Sequence, residues 1–174
     1  MALTSDVRKI RYGSPITHQP IVFPVGKGSA GQTLYRGSVA AISGGTTVTA
    51  GYLKNMATPA AADIVVGLVE GYGPGIADTG PGVVAPNTSN GAVTAEVATG
   101  TFLLASGTGA DALSVTQLGQ SVYLVDEITV GATSGGSSRP VAGLLIAVPA
   151  TDASIPTGMC AVQLGTPAAP WGGV

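Results

Sequence analysis

Chemistry needs side chains that ionise, attack or ligate, and this chain of 174 residues has few of them: one His, one Cys, 7 Lys+Arg and 9 Asp+Glu. His18 stands alone in a segment that also holds Pro15, Pro20 and Pro24. A metal site needs several ligands, and neither a second His nor a Cys pair exists to complete one. A hydrolytic triad needs a rigidly held His base, which a proline-rich extended segment does not supply. Cys160 lies in the apolar run Met159-Cys160-Ala161-Val162, so the expectation is a buried, inert thiol on a strand. Asp126-Glu127 is the one adjacent acid pair. Neighbours on a strand point to opposite faces, so these carboxylates would not converge as glycoside hydrolysis requires. The residues predict no catalytic centre, no metal site and no cofactor.

Two short patterns look like ligand or modification signatures. Gly26-Lys27-Gly28-Ser29-Ala30-Gly31 has the glycine spacing of a dinucleotide loop. That loop works when a helix follows, because the helix N-terminus faces the pyrophosphate. Here Gln32-Thr33-Leu34-Tyr35-Arg36-Gly37-Ser38-Val39 follows, with strand composition, and the expectation is a turn. Asn87-Thr88-Ser89 fits the glycosylation triplet. Residues 1–6 lack the basic start and apolar stretch of a secretory leader, so the triplet reads as a polar loop and the chain as one made in the cytosol. No apolar run approaches the length of a membrane span.

Composition points to a β protein. Gly numbers 27 and Pro 12, while only 9% of residues are charged and 5% aromatic. The chain is too apolar for a disordered segment and too poor in Leu, Glu, Lys and Arg for a helix bundle. Its core must be Val, Ile, Leu and Ala. The net charge of -2 is unevenly spread. Residues 1–54 hold Arg8, Lys9, Arg11, Lys27, Arg36 and Lys54 against Asp6 alone, and the rest holds Arg139 against every other acid. A basic front on an acidic body predicts an acidic protein partner, a copy of the chain included, rather than nucleic acid.

Strands are expected near 33–42, 46–50, 64–70, 92–98, 101–105, 121–125, 141–148 and 159–164, where Val, Ile, Thr and Tyr dominate. The run 141–148 is continuously apolar, which predicts cover on both faces, and its Gly143 a bulge or close backbone approach. Single helical turns are expected at 58–63, with Thr58 as N-cap, and at 111–115. Long loops are expected at 71–90 and 131–138. The chain divides into an extended N-terminal arm (1–25), a β-domain (26–165) and a C-terminal tail (166–174). The fold class is all-β: a small β-barrel or jelly-roll-like sandwich of short antiparallel strands.

The order of these strands resembles the capsid decoration, or cement, proteins of tailed bacteriophages. The resemblance rests on Ile64-Val65-Val66-Gly67-Leu68-Val69-Glu70-Gly71, Glu96-Val97-Ala98-Thr99-Gly100-Thr101-Phe102-Leu103-Leu104 and Leu118-Gly119-Gln120-Ser121-Val122-Tyr123-Leu124-Val125-Asp126. It continues through Thr133-Ser134-Gly135-Gly136, Arg139-Pro140-Val141-Ala142-Gly143-Leu144-Leu145 and Cys160-Ala161-Val162-Gln163-Leu164. It spans residues 31–164 and is carried by the series rather than by one motif. The basic arm and the loop 71–90 are absent from the usual small member of that family. The resemblance implies small β-barrel units that sit as dimers or trimers on the capsid exterior and clamp neighbouring major capsid proteins, with no catalytic residues.

The residues themselves agree with a subunit whose surface is finished by neighbours, since so few charges cover the body. Arg8, Lys9, Arg11 and Tyr12 are expected to meet acidic groups of the capsid or a sister subunit. Ile21, Val22 and Phe23 are expected to dock on a neighbour, and Trp171 is a second anchor. The expected location is the virion, on the capsid exterior, with no membrane contact. The rival reading is a virion fibre or surface β-sandwich that binds carbohydrate, with Tyr72 as its exposed loop aromatic.

Overall fold

The structure is a computed structural model that describes residues 20–27, 32–45, 48–73, 83–85 and 89–164. Twelve strands run in the order β1 (Ile21–Pro24), β2 (Gln32–Leu34), β3 (Val39–Ile42), β4 (Leu53–Asn55), β5 (Ile64–Tyr72), β6 (Val83–Ala85), β7 (Thr94–Ala98), β8 (Gly100–Ser106), β9 (Ser121–Leu124), β10 (Thr129–Gly131), β11 (Val141–Ala147) and β12 (Met159–Leu164). The chain is all-β: the described residues contain no α-helix, only the 3-10 turns Gly109–Asp111 and Val115–Gln117. None of their helices is long and apolar enough to cross a membrane.

The N-terminal half forms a five-stranded antiparallel sheet in the order β1-β7-β5-β3-β4. Alternation along β3 separates two cores: Ala40 faces one, Val39 and Ala41 the other. The first core gathers Val25, Leu34, Leu53, Val69, Ala95 and Val97. The sheet curls around it until its two edge strands touch, at a single parallel bridge between Val25 and Leu53.

The C-terminal half is a closed five-stranded barrel, β10-β8-β12-β11-β9. Its seam is parallel, β8 with β10, and its other pairs are antiparallel. Closure removes free edges, which suits a chain with few charges to guard them. Phe102, Leu104, Val122, Leu124, Leu145, Cys160 and Val162 share one core with Val39, Met56, Val65 and Leu68 of the first sheet. The outer face of β5 thus packs on β11 and β12. Each fully buried Leu, Val or Phe contributes about 1.5–3 kcal/mol.

Several expectations need correction. The continuous strand at 33–42 is two strands, because the chain turns at Gly37 (φ 84°) and Ser38 donates back to the Tyr35 carbonyl. The strand at 46–50 is not found in its described part; Val48 makes an isolated bridge and the chain turns at Ala50-Gly51. Residues 58–63 form no helix, because Asp63 turns its side chain back onto the Ala60 N–H. At 111–115 no single turn forms: Asp111 ends one 3-10 turn, Val115 begins the next, and Ala112 and Ser114 are extended between them. The loop 71–90 contains β6, which pairs with β2. The run 141–148 is not fully covered on both faces: Val141 and Leu144 are partly exposed and Ile146 is 41% exposed. Gly143 makes both features expected of it: the β11–β9 register shifts there, and a Cβ would run into the Gln163 carbonyl.

Candidate functional site

The residues expected to meet a partner fall into two groups. Arg8, Lys9, Arg11, Tyr12 and Trp171 lie outside the described residues, as do His18, Asn87 and Thr88. Ile21, Val22 and Phe23 form β1, which pairs with β7 of its own chain in the register Ile21–Val97, Val22–Glu96, Phe23–Ala95. Phe23 packs against the first core, while Ile21 and Val22 remain 52% and 49% exposed.

The backbone of β1 sets what its outer edge can do. Val25 N–H donates to the Val93 carbonyl at 2.9 Å, which fixes the parity of the pairing. In an antiparallel pair, hydrogen-bonded and non-bonded positions alternate. Ile21 and Phe23 therefore turn their N–H and C=O groups toward β7, and Val22 and Pro24 turn theirs away. Pro20 shares that outward parity. Proline has no N–H, so the one outward donor of residues 20–24 is the Val22 N–H, and the Pro24 end of the edge is taken up by the bridge of Val25 with Leu53. Among the described residues this edge is met only at its C-terminal end, where Val25 bridges Leu53 of β4 and the Gly26 N–H donates to the Leu53 carbonyl. Sequence reading did not place Pro20 and Pro24 at alternate positions of one strand around Val22; their spacing was the available signal.

The opposite edge of the sheet is closed by a side chain. Gln32 is buried, and its amide nitrogen donates to the carbonyls of Gly26 (2.5 Å) and Leu53 (2.8 Å). Its amide oxygen accepts from the Asn55 N–H at 2.9 Å. One side chain thus satisfies the strand edge of β4 as a neighbouring strand would.

The polar groups that suggested chemistry hold the fold instead. Cys160 is fully buried, its thiol contacts the Leu104 carbonyl, and burial pushes its pKa up to about 12. Asp126 and Glu127 sit in the β9–β10 turn, where Asp126 accepts from the N–H groups of Ile128 and Thr129. Glu127 is buried and its carbonyl accepts from Val39. Asp111 binds Thr133 and Arg139, pinning the 131–138 loop. The Thr133 hydroxyl and then the Arg139 guanidinium hold the Asp111 carboxyl below its ordinary value, against the opposing effect of burial. Lys54, counted with the basic front, is buried and paired with Asp63, so it offers no charge to a partner. The glycine-rich run leads into β2, not into a helix. Among the described residues no three His, Cys, Asp or Glu side chains gather as a metal site would need.

Tyr72 is the last residue of β5 rather than a loop tip. Its hydroxyl donates to the Leu34 carbonyl, and Arg36 lies 5.6 Å over its ring. Arg36 thus covers one face of the ring. The described apolar surface lies elsewhere: Ile21 and Val22 on β1, Ile64 at the start of β5, and Val115, Leu118 and Ile146 on the closed barrel. Gly119 N–H donates to the Leu145 carbonyl, which ties the residue after Leu118 to the residue before Ile146.

No protein-family model, curated protein or solved structure matches this chain.

Proposed function

We propose that the protein is a structural subunit of a tailed-bacteriophage virion that decorates and stabilises the capsid by binding across neighbouring major capsid proteins. It is made in the host cytoplasm, acts on the capsid exterior as a homodimer or homotrimer, and performs no catalysis. It needs no cofactor and makes no direct contact with nucleic acid or membrane.

One observation carries this reading. Five of the six segments that resemble decoration proteins lie on β5, β7, β8, β9, β11 and β12, and the sixth, Thr133–Gly136, lies in the loop between β10 and β11. Exposed Ile21, Val22, Val115, Leu118 and Ile146 on a sparsely charged surface also suit a subunit covered by neighbours. The carbohydrate reading is the less favoured one, since its one loop aromatic, Tyr72, lies at the end of β5 with Arg36 over one face.

Co-sedimentation with expanded, undecorated capsid shells of the phage that encodes the chain tests the proposal. Saturable binding at a fixed ratio to the major capsid protein supports it. Absence of binding, or retention on a glycan array without shell binding, overturns it.

A further inference from the structure

Asn90 is the one asparagine of the chain that glycine follows. An Asn-Gly pair sets an electrophile beside a nucleophile: the side-chain carbonyl carbon and the next backbone nitrogen, which no glycine side chain shields. The reaction open to such a pair needs only water. The Gly91 nitrogen bonds to Asn90 Cγ, the bond from Cγ to Nδ2 breaks, and ammonia leaves with the proton that the Gly91 nitrogen gives up. Water then opens the cyclic imide at either carbonyl, yielding aspartate or isoaspartate with no change of oxidation state.

The fold restrains both reactants. Lys27 N–H donates to Asn90 Oδ1 at 2.7 Å, and Asn90 Nδ2 donates to Thr49 Oγ1 at 3.0 Å, so each end of the side-chain amide is held. The Gly91 N–H donates to the Val25 carbonyl at 2.8 Å, which keeps its proton in place and the nitrogen occupied. Lys27 and Val25 both lie just beyond β1. That end of the strand is itself fastened, with the Val25 N–H on the Val93 carbonyl and the Gly26 N–H on the Leu53 carbonyl. Lifting β1 therefore frees the nucleophile and one end of the amide together.

We propose that Asn90-Gly91 is a self-modification site of this protein, and that docked β1 keeps it in the amide form. Release of β1 starts the reaction. The isoaspartyl product routes the main chain through Cβ and so lengthens it by one carbon between Asn90 and Gly91. The Lys27 and Val25 contacts then no longer fit together, and β1 does not re-dock as before. A transient opening of the strand becomes a permanent chemical change. The inference rests on the contacts of Asn90 and Gly91 and does not depend on the capsid reading.

Peptide mapping of the full-length protein held at mildly alkaline pH tests both halves, with isoaspartate read by methyltransferase labelling. Wild type is compared folded, in urea below its unfolding transition, and unfolded. Hydrogen exchange of the Gly91 amide is followed in the folded samples. Asn90 is expected to convert at least about tenfold more slowly in the folded protein than in the unfolded chain, and to speed up in step with Gly91 exchange as urea opens β1. Phe23→Ala removes the side chain that packs β1 on the first core, and is expected to speed both processes together. The urea series on wild type carries the same comparison if that variant does not fold. Isoaspartyl protein, isolated by chromatography, is expected to lose protection at the Val25 amide, which is bonded to Val93 in the docked strand. Conversion as fast in folded wild type as in the unfolded chain overturns the proposal, as does an unfolded chain that does not convert. So does Gly91 exchange that rises without faster conversion of Asn90, or isoaspartyl protein in which Val25 stays fully protected.

Discussion

Lys54 Nζ donates to Asp63 Oδ2 at 2.8 Å, and the two side chains are 1% and 0% exposed. The pair joins β4 to the turn before β5, where Asp63 also accepts from Gly44 and Ala60, and Lys54 also donates to the Thr58 carbonyl. Removing one partner of a buried pair leaves the other uncompensated, at about 3–5 kcal/mol. Asp63→Ala strands an ammonium with a single carbonyl, whereas Lys54→Met leaves a carboxylate that keeps two N–H donors. Urea unfolding is expected to rank Asp63→Ala as the more damaging of the two. Equal or inverted losses would show that the carboxylate does not organise this turn.

Gln32 completes the β4 edge through donors on one atom and an acceptor on the other. Gln32→Glu keeps the shape but turns an oxygen toward two carbonyls. It is expected to destabilise the fold by at least as much as Gln32→Ala, which leaves those groups unpaired at about 1–3 kcal/mol each. Thermal unfolding of the two variants checks the order. A well-tolerated Glu would mean the amide does not serve as the missing strand.

Asp111 gives the fold a pH dependence of known sign. Its carboxyl is held below the ordinary 3.8 in the folded protein, first by Thr133 and then by Arg139. A carboxyl depressed on folding contributes fully above its unfolded pKa, and the contribution is lost as the pH falls through the folded value. Wild-type stability is therefore expected to drop below about pH 4. Asp111→Asn should start lower at neutral pH and fall less steeply on acidification. Denaturant midpoints between neutral and acid pH measure this; parallel curves for the two proteins would contradict it.

The sequence made the long apolar strands legible, because period-two alternation and β-branched residues mark them without help from the rest of the chain. Strands β5, β8, β9, β11 and β12 were read within a few residues of their bounds. It concealed β4, β6 and β10, each of three residues. At β4 the centre is Lys54, whose burial depends on Asp63 nine positions away, a pairing no local pattern announces. The apolar character of Ile21, Val22 and Phe23 marks them as residues that need a docking surface. Their docking on β7 was not legible, because register is set by contacts distant in the chain. Arg36 over Tyr72 is a similar tertiary event.

The account's central claim is that this chain holds neighbouring capsid proteins together, with its basic front toward the shell. The most direct measurement compares full-length wild type with R8E/K9E/R11E for co-sedimentation with expanded, undecorated shells, and for the temperature at which those shells come apart. Substitution is preferable to deletion through residue 24, because removing β1 would uncover β7 and the first core. The account predicts that wild type binds stoichiometrically and raises the dissociation temperature, and that the charge-reversed protein keeps its fold but does neither. Wild type that leaves the shells unbound and no more stable would contradict it.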